Sequence, residues 1–248
     1  MGATYAGGHL ADAFGWLAPF KLSAVLGVIG MVLVLFVHEM PKATDAPLPS
    51  LRSVMRHREL VLAAIVAALG QYVTFATVFG FVPNYAVGLG ASKMQLGLLT
   101  MLGTLASACA ILVSSRFLAP RIGPRRTVMA PYLLFGGSTV AIPAIDSIGN
   151  LILSQVAAGI GRGTAYSILM ALAIARLPDS EKATAMGFFQ AVYAIGMAAG
   201  PLVTGLIGEQ MGYGTLFVST AVVAWVTMGV ASRLPEKSSD SGKAAGSG

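Results

Sequence analysis

Long apolar runs alternate with short polar stretches along most of the 248-residue chain. A helix needs about 20 apolar residues to cross the hydrocarbon of a bilayer. Runs of about that length occupy 20–38, 61–83, 94–115, 127–145, 151–176, 184–208 and 213–232. The pattern predicts seven complete transmembrane helices, with a shorter apolar piece over 1–14 as a partial helix ahead of them. A transmembrane barrel would need strands of about 10 residues alternating between lipid and lumen. These runs are too long and too uniformly apolar for that, so the expected fold class is an all-α membrane protein, a polytopic helical bundle.

Composition agrees with the pattern. Hydrophobic residues make up 56% of the chain and charged residues 10%, with a mean hydropathy of +0.77. Soluble domains hold roughly 45 to 50% apolar and about 25% charged residues. The 30 glycines and 12 prolines are scattered through the apolar runs, where neighbouring helices can re-satisfy the backbone groups they free. The one cysteine, Cys109, lies in such a run and reads as packing. The opening residues place glycines and Asp12 before the first lysine, Lys21, which is unlike a secretory leader.

Charge sets the expected orientation. Thirteen of the sixteen Lys and Arg residues fall in one alternate set of loops: Lys42, Arg52, Arg56 and Arg58; Arg116, Arg121, Arg125 and Arg126; Arg176 and Lys182; Arg233, Lys237 and Lys243. The other set holds only Lys21 and Lys93, and Arg162 lies inside a span. By the positive-inside bias the first set is cytoplasmic, and with it the C-terminus. The expected location is an integral one, in the cytoplasmic membrane. The net charge of +6 is then explained by basic loops facing anionic lipid, with no nucleic-acid partner.

The chain also resembles itself at an offset of 197 residues. Gly8 falls on Gly205, Asp12 on Glu209, Gly15 on Gly212, Trp16 on Tyr213, Phe20 on Phe217 and Glu39 on Glu236. The first two helices thus correspond to the last two. A six-helix repeat of that length implies four more helices before residue 1 as partners of the chain. The expected division is 1–38 as the last two helices of a first half, 39–60 as a cytoplasmic linker along the membrane surface, 61–234 as a complete second half, and 235–248 as a disordered tail.

These features resemble the major facilitator superfamily, secondary transporters of twelve helices in two six-helix halves. Gly7-Gly8 with Phe14-Gly15-Trp16 resembles the end of the family's fifth helix, where antiporters carry Gly-Pro-x-x-Gly-Gly. Ala3 and Thr4 replace the Gly-Pro here, and Gly200-Pro201 keeps it in the repeat mate, followed by Gly205. The stretch 116–126, RFLAPRIGPRR, resembles the family's basic loop Gly-x-x-x-Asp-Arg-x-Gly-Arg-Arg. Arg121, Gly123 and Arg125 fit it, while Arg116, Pro120 and Pro124 depart from it. The resemblance implies a partial form of that fold and transport of a small-molecule substrate by alternating access, with protons as coupling ion and efflux by antiport. Uptake symport, or a truncated chain that binds or assembles without transporting, are the alternatives. It implies no cofactor.

Arg162 is the residue most in need of a function, because a charge at mid-bilayer costs about 2.5 to 3.5 kcal/mol on insertion scales. By helical spacing Gln155, Gly159, Arg162 and Tyr166 share a face. No Asp or Glu is placed mid-span to pair with Arg162. Its partner is a substrate anion, backbone carbonyls opened by the glycines, or a carboxylate on further helices. In the family the first and fourth helices of each half line the central cavity, which implies Gln71, Tyr72 and Phe75 alongside Gln155, Arg162 and Tyr166 as pathway candidates. Gln190 and Tyr193 form a further polar pair at similar depth. Each of these polar residues serves either as a helix-to-helix hydrogen bond or as a pathway contact. No enzyme motif is present and no Cys/His cluster suggests a metal.

Overall fold

In a computed structural model, residues 2–36 and 50–236 are described, apart from the side chains of 2–6 and 12. The described residues are helical and contain no strand. In chain order the helices are α1 (Gly2–Phe14), α2 (Leu17–Val34), α3 (Leu51–Val54), α4 (Arg58–Ala76), α5 (Val82–Gly88), α6 (Lys93–Val113), α7 (Ala119–Ile122), α8 (Pro124–Val140), α9 (Ile148–Ile174) and α10 (Asp179–Ala231). Six helical stretches are long and apolar enough to cross a membrane. The expected linker lies outside the described residues up to 49, and the expected tail does so from 237.

Local chemistry explains most of the boundaries. Ser92 caps α6 in a capping box with Gln95, each side chain accepting from the other residue's backbone N–H. Ser147 caps α9 by accepting from the Asn150 N–H at 3.3 Å. Gly123, at φ +82°, turns the chain into Pro124 at the first turn of α8. At these N-termini α6, α8 and α9 begin one to three residues ahead of the apolar runs that predict them.

α10 is 53 residues long, about 80 Å at 1.5 Å per residue, against a hydrocarbon core of about 30 Å. It is interrupted at Gly212, where φ is +79° and ψ 172°, so it forms two spans joined at one residue. Gly15, between α1 and α2, has φ +81°. The two glycines that the repeat superposes therefore share a positive φ, which side chains with a Cβ avoid.

Two π-helical turns interrupt the bundle, at Thr77–Phe81 between α4 and α5 and at Ser114–Leu118 between α6 and α7. Each stands just ahead of a proline, Pro83 and Pro120. Proline lacks the N–H for the i−4 carbonyl and its ring crowds that carbonyl, and a widened turn accommodates both. The predicted 61–83 and 94–115 runs accordingly continue as helix on either side of a π-turn.

Glycines seat the principal helix contacts. A methyl on Gly196 would overlap the Ala68 carbonyl, and one on Gly200 would lie 2.5 Å from the Tyr72 oxygen, which fixes the α4–α10 seam. On α9, Gly159 and Gly163 meet the Gly103 and Ser107 carbonyls of α6, while Gly161 meets Pro131 and Phe135 of α8. Both Gly196/Gly200 and Gly159/Gly163 are spaced as GxxxG, the pattern that lets helix backbones approach closely. The main core lies among α4, α8, α9 and the two parts of α10, around Phe135, Leu169 and Phe189. α1 packs on α6, whereas α2 packs mainly on α1 and buries none of its residues.

Candidate functional site

The polar groups buried inside the bundle define the site. Thr74, Thr77, Thr139, Thr204, Thr220 and Thr227 each return their hydroxyl to the carbonyl four residues back on their own helix, which satisfies them locally. Two buried side-chain atoms among the described residues have no such partner: Arg162 Nη1 and Gln155 Oε1. Both are on α9. Seven residues apart, about 10.5 Å along the axis, they cannot serve one another.

Arg162 opens into a small cleft between α4, α8 and α9, lined among others by Gln71, Thr74, Tyr132 and Tyr166. Its interior is about 20 Å³, enough for one water molecule. No carboxylate lines it, and Arg162 has no ion pair among the described residues. The guanidinium carbon stands 5.7 Å from the centre of the Phe79 ring, a cation–π distance. Phe79 in turn lies 5.1 Å from Phe75, the two rings tilted at 47°. Tyr166 meets Tyr193 edge-on at 5.9 Å, and Phe189 completes this group at 5.7 Å from Tyr193.

Of the eight pathway candidates, Gln71, Arg162 and Tyr166 line the cleft. Phe75 adjoins it through Phe79, and Tyr193 through Tyr166. Tyr72 is not among the residues lining the cleft; its backbone carbonyl stands against Gly200 of α10. Gln190 is exposed. Gln155 is 3% exposed, sits where α9 meets Gly103 of α6, and gives its amide to Ser154 Oγ at 3.3 Å. The shared helix face of Gln155, Gly159, Arg162 and Tyr166 is thus divided between neighbours: its first two members pack on α6 and its last two reach the cleft.

Among the motif positions, a methyl on Gly7 would have no atom within 4 Å, whereas one on Gly8 would meet the Lys93 carbonyl at 2.9 Å. Gly205 would make an ordinary contact with the Phe81 ring at 3.4 Å, and Pro201 lies within α10. Gly123 packs against the Glu236 carbonyl. Arg121 is exposed and Arg125 half-buried, and Arg126 reaches Glu236 at 3.9 Å with both side chains largely exposed, a pair that adds little to stability.

Phe79, Thr74 and Tyr132 belong to the site and carry no signal in the sequence. A phenylalanine in an apolar run is ordinary, and Phe79 stands inside the π-turn at 77–81. At the end of the bundle where the basic loops gather, Glu181 accepts from Ser53 Oγ at 2.8 Å and pairs with His57 Nε2 at 2.9 Å. Arg176 pairs with Glu59. The segment leading into α4 is thereby tied to the turn between α9 and α10.

Helices this long and apolar, packed through glycine seams around a buried arginine, define a polytopic α-helical integral membrane protein. A profile of the Major Facilitator Superfamily matches residues 1–119 and again 60–247. The chain belongs to that superfamily. It is similar to the MFS-type transporter SLC18B1 of Rattus norvegicus, 26% identical over 198 residues that cover 75% of this chain and 43% of the relative. Multidrug resistance protein MdtG of Dickeya zeae is 23% identical over 228 residues, 89% of this chain and 56% of that one. Multidrug resistance protein Stp of Mycobacterium tuberculosis is 32% identical over 107 residues, 43% of this chain and 20% of the relative. The chain spans about half the length, or less, of these relatives.

Proposed function

We propose that the chain is the second half, with two helices of the first, of a secondary transporter that moves small molecules across the cytoplasmic membrane by alternating access. The observation that supports this most is the orphaned Arg162 in its cleft. A charge kept at mid-bilayer without a partner has a use in a path for solutes and little use in a packing core. Proton-coupled efflux is the preferred direction, in keeping with relatives named for multidrug resistance. The four helices expected before residue 1 would supply the facing wall of the path. The basic loops would face the cytoplasm, the C-terminus with them.

The test is dye efflux in cells stripped of their own pumps. Cells expressing this chain alone should retain fluorescein, an anionic dye, as control cells do, and cells expressing it joined to the four helices should extrude it until the proton gradient is collapsed. Extrusion that survives collapse of the gradient would refute proton coupling. Retention by both would refute transport and leave the binding or assembly reading.

A further inference from the structure

We propose that the cleft beside Arg162 is an anchoring site for organic anions, specifically for a carboxylate carried on an aromatic ring. This deepens the transport reading by naming a substrate class, and rests on that reading only for the translocation of the bound anion.

Three observations converge on it. Among the described residues, Arg162 Nη1 is buried without an acceptor, and no acid lines the cleft to neutralise it. The hydroxyl of Thr74 is already donated to the Gly70 carbonyl at 2.9 Å, so it offers no hydrogen to an oxyanion, and Arg162 is the charged donor in the cleft. A cationic ligand would find repulsion and no counter-charge. A guanidinium fork, by contrast, matches a carboxylate in a two-point geometry.

The ring requirement comes from size and placement. The interior, about 20 Å³, admits a carboxylate oxygen and no more, so the body of the ligand must lie outside it. Immediately outside stand Phe79, 54% exposed, and Phe75 at 5.1 Å. The Phe79 ring holds the guanidinium carbon at 5.7 Å, and the N–H groups turned away from the ring are left for the anion. An aromatic ring attached to the carboxylate would stack on the same phenylalanines.

A side-chain carboxylate from another protein segment would offer the same oxyanion chemistry, and the experiment separates the two sources. The purified chain in nanodiscs is dialysed against 1-naphthoate and, separately, 1-naphthylmethylammonium, equal in shape and opposite in charge. Naphthoate should bind saturably and at least about tenfold tighter than the ammonium, as expected of a charge-assisted fork. Arg162→Gln should remove about tenfold of that preference and Arg162→Lys should keep part of it. Phe79→Ala, at an exposed ring, should weaken naphthoate about three- to tenfold. The unmodified chain with the two probes, and Phe79→Ala, decide the matter even if Arg162→Gln misfolds. Equal binding of the two probes, or unchanged naphthoate binding in Arg162→Gln, overturns the proposal. So does failure to bind naphthoate in a chain that self-associates and is dissociated by Arg162→Gln, which assigns the partner to protein. Dye efflux that persists in the extended protein without naphthoate binding would sink the substrate class and leave transport standing.

Discussion

A single methyl group divides the glycines of this chain into two kinds. At Gly196 it would overlap the Ala68 carbonyl across the α4–α10 seam, and at Gly159 the Gly103 carbonyl of α6, whereas at Gly7 it would touch nothing. Gly196→Val and Gly159→Val should each cost about 1 to 3 kcal/mol or more through overpacking, read as a lower temperature of aggregation in detergent. Gly7→Ala should stay within about 0.5 kcal/mol of the parent. The spacing of these glycines is plain in the sequence, but the helix each one faces is not, since small residues mark a contact without naming its partner. Arg162 is legible for the opposite reason: one charge in an apolar run has few harmless explanations. Gln155 looks equivalent on a helical wheel, and the packing of α6 removes it from the cleft.

Element boundaries depend on prolines and on turns with positive φ. Pro83 stands just past the π-turn that carries Phe79, and if its ring causes that turn, Pro83→Ala should restore the regular ladder and rotate Phe79 away from Arg162. Paired spin labels at 79 and 166 would register a changed distance distribution, and an unchanged one would assign the π-turn to another cause. Gly212→Ala would force a Cβ into a backbone region that is essentially glycine's alone, at about 1 to 3 kcal/mol, with Gly15→Ala as its positive-φ counterpart in the repeat. Both glycines are legible through the 197-residue offset, although the apolar pattern alone does not show that the two spans of α10 meet at the single residue Gly212. The Glu181 tie belongs to this scale as well. Glu181→Ala removes the acceptor for both Ser53 and His57, and backbone amides 53–57 should then exchange about tenfold faster, consistent with losing roughly 1 to 3 kcal/mol of hydrogen bonding.

For the molecule as a whole, composition and charge pattern are enough to predict an all-α membrane bundle, because hydrocarbon leaves few other solutions for the backbone. The site is only partly legible, since its lining comes from three helices whose facing sides are fixed by glycine contacts far apart in sequence. A protease-accessible tag after residue 236 should be cleaved only in inverted vesicles if the basic loops face the cytoplasm. The isolation of α2 carries a separate consequence. Its 18 residues span about 27 Å, slightly less than a hydrocarbon core of about 30 Å, and acyl chains solvate it as well as protein would. In this chain taken without the four helices proposed to precede it, its tilt and depth are therefore set by membrane thickness rather than by tertiary contacts. In bilayers of stepped acyl length, α2 should respond first, leaving α4 and α9 in place, so lipid composition becomes a local control on one side of an otherwise fixed bundle.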